Sequence, residues 1–149
     1  MDKIAVFAMS ENGGDAVTNY MANSAKDRYQ ILDFSSDEIE DMVKQTKEEA
    51  SDVIVIFDAL EGMNRPFAHA VAKLHEAHIK PILVILNAEE VSDTSEAEMS
   101  IAEIVAQNDR TVQPWDLNYR TLFFSETKGF SKTPAFERGG IDALLEKIK

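Results

Sequence analysis

Val53-Ile54-Val55-Ile56-Phe57 is an unbroken apolar run in which four of the five residues are β-branched. A strand buried on one face alternates apolar with polar residues, so a run without alternation fits a parallel strand covered on both faces. On either side of it, Ile4 to Met9, Tyr29 to Phe34, Ile82 to Leu86 and Thr121 to Ser125 are further short runs of strand character. Between them the apolar residues change to helical spacing: Val17, Met21 and Ala25; then Ile39, Met42, Val43, Thr46 and Ala50; then Phe67, Ala70, Val71 and Leu74. Ala97, Ile101, Ile104 and Val105 continue the pattern, as do Ile141, Leu144, Leu145 and Ile148. Ser35 with Glu38, and Ser95 with Glu98, have the spacing of capping boxes, and Pro66 suits the first turn of a helix.

Five strands thus alternate with five helices. Right-handed crossovers turn that alternation into an α/β three-layer sandwich with parallel strands in the order 2-1-3-4-5, one domain over residues 1–149. Loops at the carboxyl ends of the strands then form the natural ligand crevice. Periodicity alone allows a P-loop-NTPase-like or a flavodoxin-like fold equally.

Composition narrows the class. With 149 residues, 44% of them hydrophobic, the chain can bury a core without staples. There is no cysteine, which excludes disulfides and thiolate metal sites. The start Met1-Asp2-Lys3-Ile4-Ala5 lacks the shape of a signal peptide, and no apolar stretch approaches a membrane span, so a cytoplasmic protein without membrane contact is expected. A net charge of −12 argues against a broad nucleic-acid surface, because phosphate contacts come from Lys and Arg. Asp27, Asp33, Asp37, Glu38, Glu40 and Asp41 concentrate negative charge, which reads first as a solvated face and second as a patch for a basic partner.

The loop after the first strand is Ala8-Met9-Ser10-Glu11-Asn12-Gly13-Gly14-Asp15. A phosphate-binding P-loop has the form G-x-x-x-x-G-K-[ST]: its backbone N–H groups cradle phosphates, its Lys neutralises them and its hydroxyl holds Mg²⁺. In that register Ala8 replaces the first Gly and Gly13 matches the second. Gly14 stands in the place of Lys, and Asp15 in the place of the hydroxyl residue. Taken alone, a Gly-Gly turn before a helix has a plain structural use.

Residues 29–90 add more. Tyr29-Gln30-Ile31-Leu32-Asp33-Phe34-Ser35-Ser36, then Asp52 to Met63, then His78 to Glu90 resemble, in spacing and hydrophobic pattern, the G domain of translational GTPases of the elongation factor Tu and selenocysteine-specific elongation factor type. That family has a strand ending D-x-P-G-H, later a strand with an acidic-Gly turn, and then a strand ending N-K-x-D. Phe123-Phe124-Ser125-Glu126-Thr127 resembles its S-A-L guanine loop. Carried over by position, Asp33 keeps the first Asp, but Ser36 replaces its Gly and Asp37 its His. Asn87 keeps the Asn of N-K-x-D, Ala88 loses the Lys and Glu90 replaces the Asp, while Ser125 keeps the first residue of the guanine loop. Glu11 keeps an acidic residue in the P-loop. The segment holding switch I and its Mg²⁺-ligating Thr is missing, since only Lys26, Asp27 and Arg28 separate Ala25 from Tyr29.

What the resemblance implies is a degenerate G domain, a pseudo-GTPase that acts by binding. Asn12, Gly13, Gly14 and Asp15 would face an anion, and Asn87, Glu90 and Ser125 a guanine base. GDP or GTP is expected to bind weakly at most, without Mg²⁺, and no residue is assigned to catalysis. A protein partner from the translation apparatus is implied. A residual GTP hydrolase with Asp15 as metal ligand is the alternative. With the neighbouring segment missing, Tyr29 to Phe34 is expected at a bare sheet edge, open to homodimerisation or to use as a structural interaction module.

Three further groups of residues carry chemistry of their own. Asp58 is similar in position to the phosphoacceptor of a response-regulator receiver, but of the acidic pair and Lys that such a site needs only Glu11 and Lys128 are near equivalents. His69, His75 and His78 lie on or beside one helix without a carboxylate to complete a metal set, and read as surface or interface histidines. Trp115 is either an exposed anchor or part of a loop folded over the core.

Overall fold

A computed structural model describes residues 2–8, 13–25, 29–34, 39–49, 52–59, 65–87, 99, 101, 103–104, 106–107, 121–125, 127–132, 140 and 144. Its elements are β1 (Asp2–Ala8), α1 (Gly13–Ala25), β2 (Tyr29–Phe34), α2 (Ile39–Glu49), β3 (Asp52–Asp58), α3 (Arg65–Glu76), β4 (Ile82–Leu86), β5 (Thr121–Ser125) and β6 (Gly129–Ser131). The sheet order is β2-β1-β3-β4-β5-β6. The first five strands are parallel and stand in the expected order, and β6 adds to β5 antiparallel.

Every residue from Val53 to Phe57 and from Ile82 to Leu86 is buried, as strands covered on both faces require. Successive side chains divide between two cores because a strand has a period of two. Ala5, Phe7, Val53, Val55, Phe57, Leu83, Ile85 and Phe123 face one layer with residues of α2 and α3 and with Ile101. Ile4, Val6, Ile54, Ile56, Val84, Leu122 and Phe124 face the other with Val17 and Met21 of α1, Phe130 and Leu144. These are the two helical layers of the sandwich. Residues 99, 101, 103–104, 106–107 and 144 are helical, in keeping with the two later helices read from periodicity.

The helices follow their own sequences. On α2, Ile39 and Met42 are buried, and the carboxylates Glu40 and Asp41 in the first turn and Lys47 in the last suit the helix dipole. Thr46 is buried on the same face with its hydroxyl unpartnered. Pro66 lies in the first turn of α3, where its missing N–H costs nothing, and Phe67 packs edge-on against Phe57 at a centroid distance of 5.1 Å. The helix stops in a Schellman motif: Ile79 N–H donates to Leu74 O at 2.9 Å and His78 N–H to His75 O at 3.0 Å. His78 occupies the left-handed position there with φ 62°. Its role is to end a helix.

The strand β6 was not legible as one, because Gly129-Phe130-Ser131 lies in a stretch that reads as loop. Its position is fixed by Phe130, fully buried against Tyr20 and Phe124 at centroid distances of 5.7 and 5.0 Å. Phe130 also exchanges backbone hydrogen bonds with Gly140, at 3.1 and 2.8 Å. The capping boxes at Ser35 and Ser95, and Trp115, lie outside the described residues.

Candidate functional site

The chain leaves β1 toward β2 on one side and later fills β3, β4 and β5 on the other, so the switch of direction falls at the carboxyl end of β1. There β1 ends at Ala8 and α1 begins at Gly13. The stretch read against the phosphate-binding motif therefore runs from the end of a strand to the start of a helix. Gly13, Gly14 and Asp15 are the first three residues of α1, where backbone N–H groups lack helical acceptors and the dipole favours an anion. Glu11 and Asn12 lie outside the described residues, as does Glu90.

Other candidate positions come together at neighbouring strand ends. Asp58 ends β3 and pairs in register with Leu86, the last residue of β4; Leu86 in turn pairs with Phe124 of β5. Asp58, Asn87 and Ser125 thus stand along the carboxyl edge of three adjacent strands. The sheet brings together residues far apart in the chain.

Asn87 takes φ 61°, a left-handed conformation that Asn tolerates better than most residues. Its Nδ2 donates to Asp58 Oδ1 at 2.9 Å. An ionised carboxylate only accepts, so this contact fixes which end of the amide faces Asp58. Ala59 N–H donates to Leu86 O at 3.1 Å beside it, so both main chain and side chain close the gap between β3 and β4.

Ser125 is buried, and its hydroxyl is engaged by its own turn. Its Oγ accepts from Thr127 N–H at 3.3 Å and from Lys128 N–H at 3.4 Å, and shares a hydrogen bond with Thr127 Oγ1 at 3.1 Å. The turn leads directly into Gly129, with φ 77°. A hydroxyl two residues ahead of the amide it caps, with a Gly closing the turn, is a readable signal in Ser125-Glu126-Thr127-Lys128-Gly129. It marks local structure as much as ligand chemistry.

Asp58, placed like a phosphoacceptor, is a partner of Asn87. Thr127 and Lys128 are exposed on the turn. Among the described residues no group of three or more His, Cys, Asp or Glu could hold a metal, and no helix is long and apolar enough to cross a membrane.

The parallel order, with helices on both faces of the sheet, defines a doubly wound α/β fold. Comparison with solved structures agrees: the chain is similar to the crystal structure of a probable GTP-binding protein engB, with a TM-score of 0.68 and 98% of each chain covered. Sequence identity is 12%, so the likeness is one of fold, that of a G domain. No family model matches the chain, and no curated protein does.

Proposed function

We propose that this chain is a degenerate G domain of the elongation factor Tu type, which acts by binding a partner and not by turning over GTP. The observation that carries the reading is the start of α1, where Gly14 and Asp15 occupy the positions that the phosphate-binding motif gives to Lys and to the metal-holding hydroxyl. Phosphoryl transfer depends on that cation and on Mg²⁺ to neutralise charge developing on the transferred group. Each missing charge-assisted hydrogen bond costs about 1.5–3 kcal/mol, so the absence of two removes roughly two to four decades of affinity. The carboxylate of Asp15, in the first turn of α1, adds repulsion. Asn87 and Ser125, the retained base-loop residues, already have partners within the protein.

Calorimetric titration with GDP and with GTP, each with Mg²⁺, tests the reading. Dissociation constants near or above about 1 mM are expected, and single-turnover hydrolysis at the rate of buffer alone. Micromolar affinity, or hydrolysis abolished by Asp15→Ala, would place the protein among working GTPases. The likeness to elongation factor Tu supports a partner in the translation apparatus. Cosedimentation with ribosomes at low salt checks that part, and a protein that stays wholly in the supernatant would count against it.

A further inference from the structure

We propose that the edge of β2, which is unpaired among the described residues, receives an added strand from a partner protein, donated by an extended segment rich in Lys and Arg. The two edges of the sheet differ. At one, β6 is three residues long and Phe130 is bridged on its outer side to Gly140. At the other, β2 has six residues and, among those described, pairs with β1 alone. Every second residue of such a strand turns its N–H and C=O away from the sheet, a template for another chain. Tyr29-Gln30-Ile31-Leu32-Asp33-Phe34 contains neither the Pro nor the Lys that commonly blunts an edge.

Charge selects the occupant. Between residues 27 and 41 the sequence carries six carboxylates against one cation, Arg28. Of these, Asp33 lies in β2, and Glu40 and Asp41 form the exposed first turn of α2, which begins five residues after Phe34. A second copy of the chain would bring the same acidic set against itself. A cationic strand would be steered to the edge and held there by main-chain hydrogen bonds. The inference stands independently of whether a nucleotide binds.

The probe is a fluorescent, acetylated peptide of alternating Lys and Val, followed by anisotropy against the full chain. Two isomers, N-methylated on alternate residues, complete the set. In an added strand only one set of alternate N–H groups faces β2. One isomer should therefore lose at least about tenfold in affinity, the loss of two or more hydrogen bonds, while the other matches the parent peptide. Raising salt from about 0.1 M to about 1 M shortens the Debye length from about 10 Å to about 3 Å and should weaken binding several-fold. The charge reversal Glu40→Lys with Asp41→Lys, on an exposed turn, should do the same. No binding of the parent peptide, or equal binding of both isomers, overturns strand addition. So does a dimer in sedimentation that the peptide does not dissociate, since a second copy would then hold the edge.

Discussion

Asn87 donates from Nδ2 to Oδ1 of Asp58 at 2.9 Å, tying the residue after β4 to the last residue of β3 across 29 positions of sequence. The bond gives the left-handed Asn87 a reason to hold one rotamer. It also commits the Asn87 amide to a contact within the protein, so the fold alone gives this residue a use.

Replacing Asp58 with Ala leaves that amide without its charged acceptor. The pair is only part-buried, so water recovers some of the loss, and a destabilisation of about 1–2 kcal/mol is expected. Asp58→Asn keeps an acceptor oxygen and should lose less. Urea unfolding reads this as a lowered midpoint at unchanged slope. An Asp58→Ala midpoint equal to wild type would show that the bond contributes nothing.

His78 makes a prediction of opposite sign. It holds φ 62° at the end of α3, where a side chain costs about 1–2 kcal/mol and Gly costs none. Gly also loses more backbone freedom on folding, by about 0.5–1 kcal/mol. His78→Gly should therefore stabilise the protein by roughly 0.5–1 kcal/mol, visible as a rise in thermal midpoint. Destabilisation would mean that the imidazole has a structural partner of consequence.

Much of the fold was legible because its strands are short, apolar and β-branched. Tyr29–Phe34, Ile82–Leu86 and Thr121–Ser125 have the bounds their sequence implies, and β1 and β3 differ by two residues or fewer at any end. The buried faces of α1 and α3 were legible for the same reason, since Val17, Met21, Phe67, Ala70, Val71 and Leu74 keep helical period. The strand β6 was not, because three residues cannot display a period and their strand state depends on Tyr20, Phe124 and Gly140. The site was legible only as positions. That Asn87 meets Asp58 depends on β3 and β4 being neighbours in register, and that Ser125 caps its own turn depends on backbone geometry.

Gly129 tests the packing that orders the β5–β6 turn. A Cβ built there would lie 2.5 Å from Tyr20 Cζ and closer still to the hydroxyl, and φ is 77°. Gly129→Ala should destabilise by roughly 2–4 kcal/mol, combining overpacking with left-handed strain. In a Tyr20→Leu background the opposing wall is shorter, and the same change should cost about 1 kcal/mol less. Equal costs in both backgrounds would assign the whole effect to backbone strain.

The strongest test of the proposed degenerate phosphate site is to build the motif residues into it. Gly14→Lys with Asp15→Ser returns an ammonium and a hydroxyl to the first turn of α1 and removes a carboxylate. Stability should change little, because Lys gains about 0.5–1 kcal/mol of helix propensity over Gly but meets the positive end of the dipole at about 0.3–1 kcal/mol. Binding can then be read without a folding correction. If the loop still has the shape of a phosphate cradle, GDP affinity in Mg²⁺ should tighten by about ten- to a hundredfold, since one restored charge-assisted hydrogen bond contributes about 1.5–3 kcal/mol. If titrations of the double variant and of wild type coincide, the missing side chains are not what silences the site. The start of α1 would then serve the fold and not a phosphate.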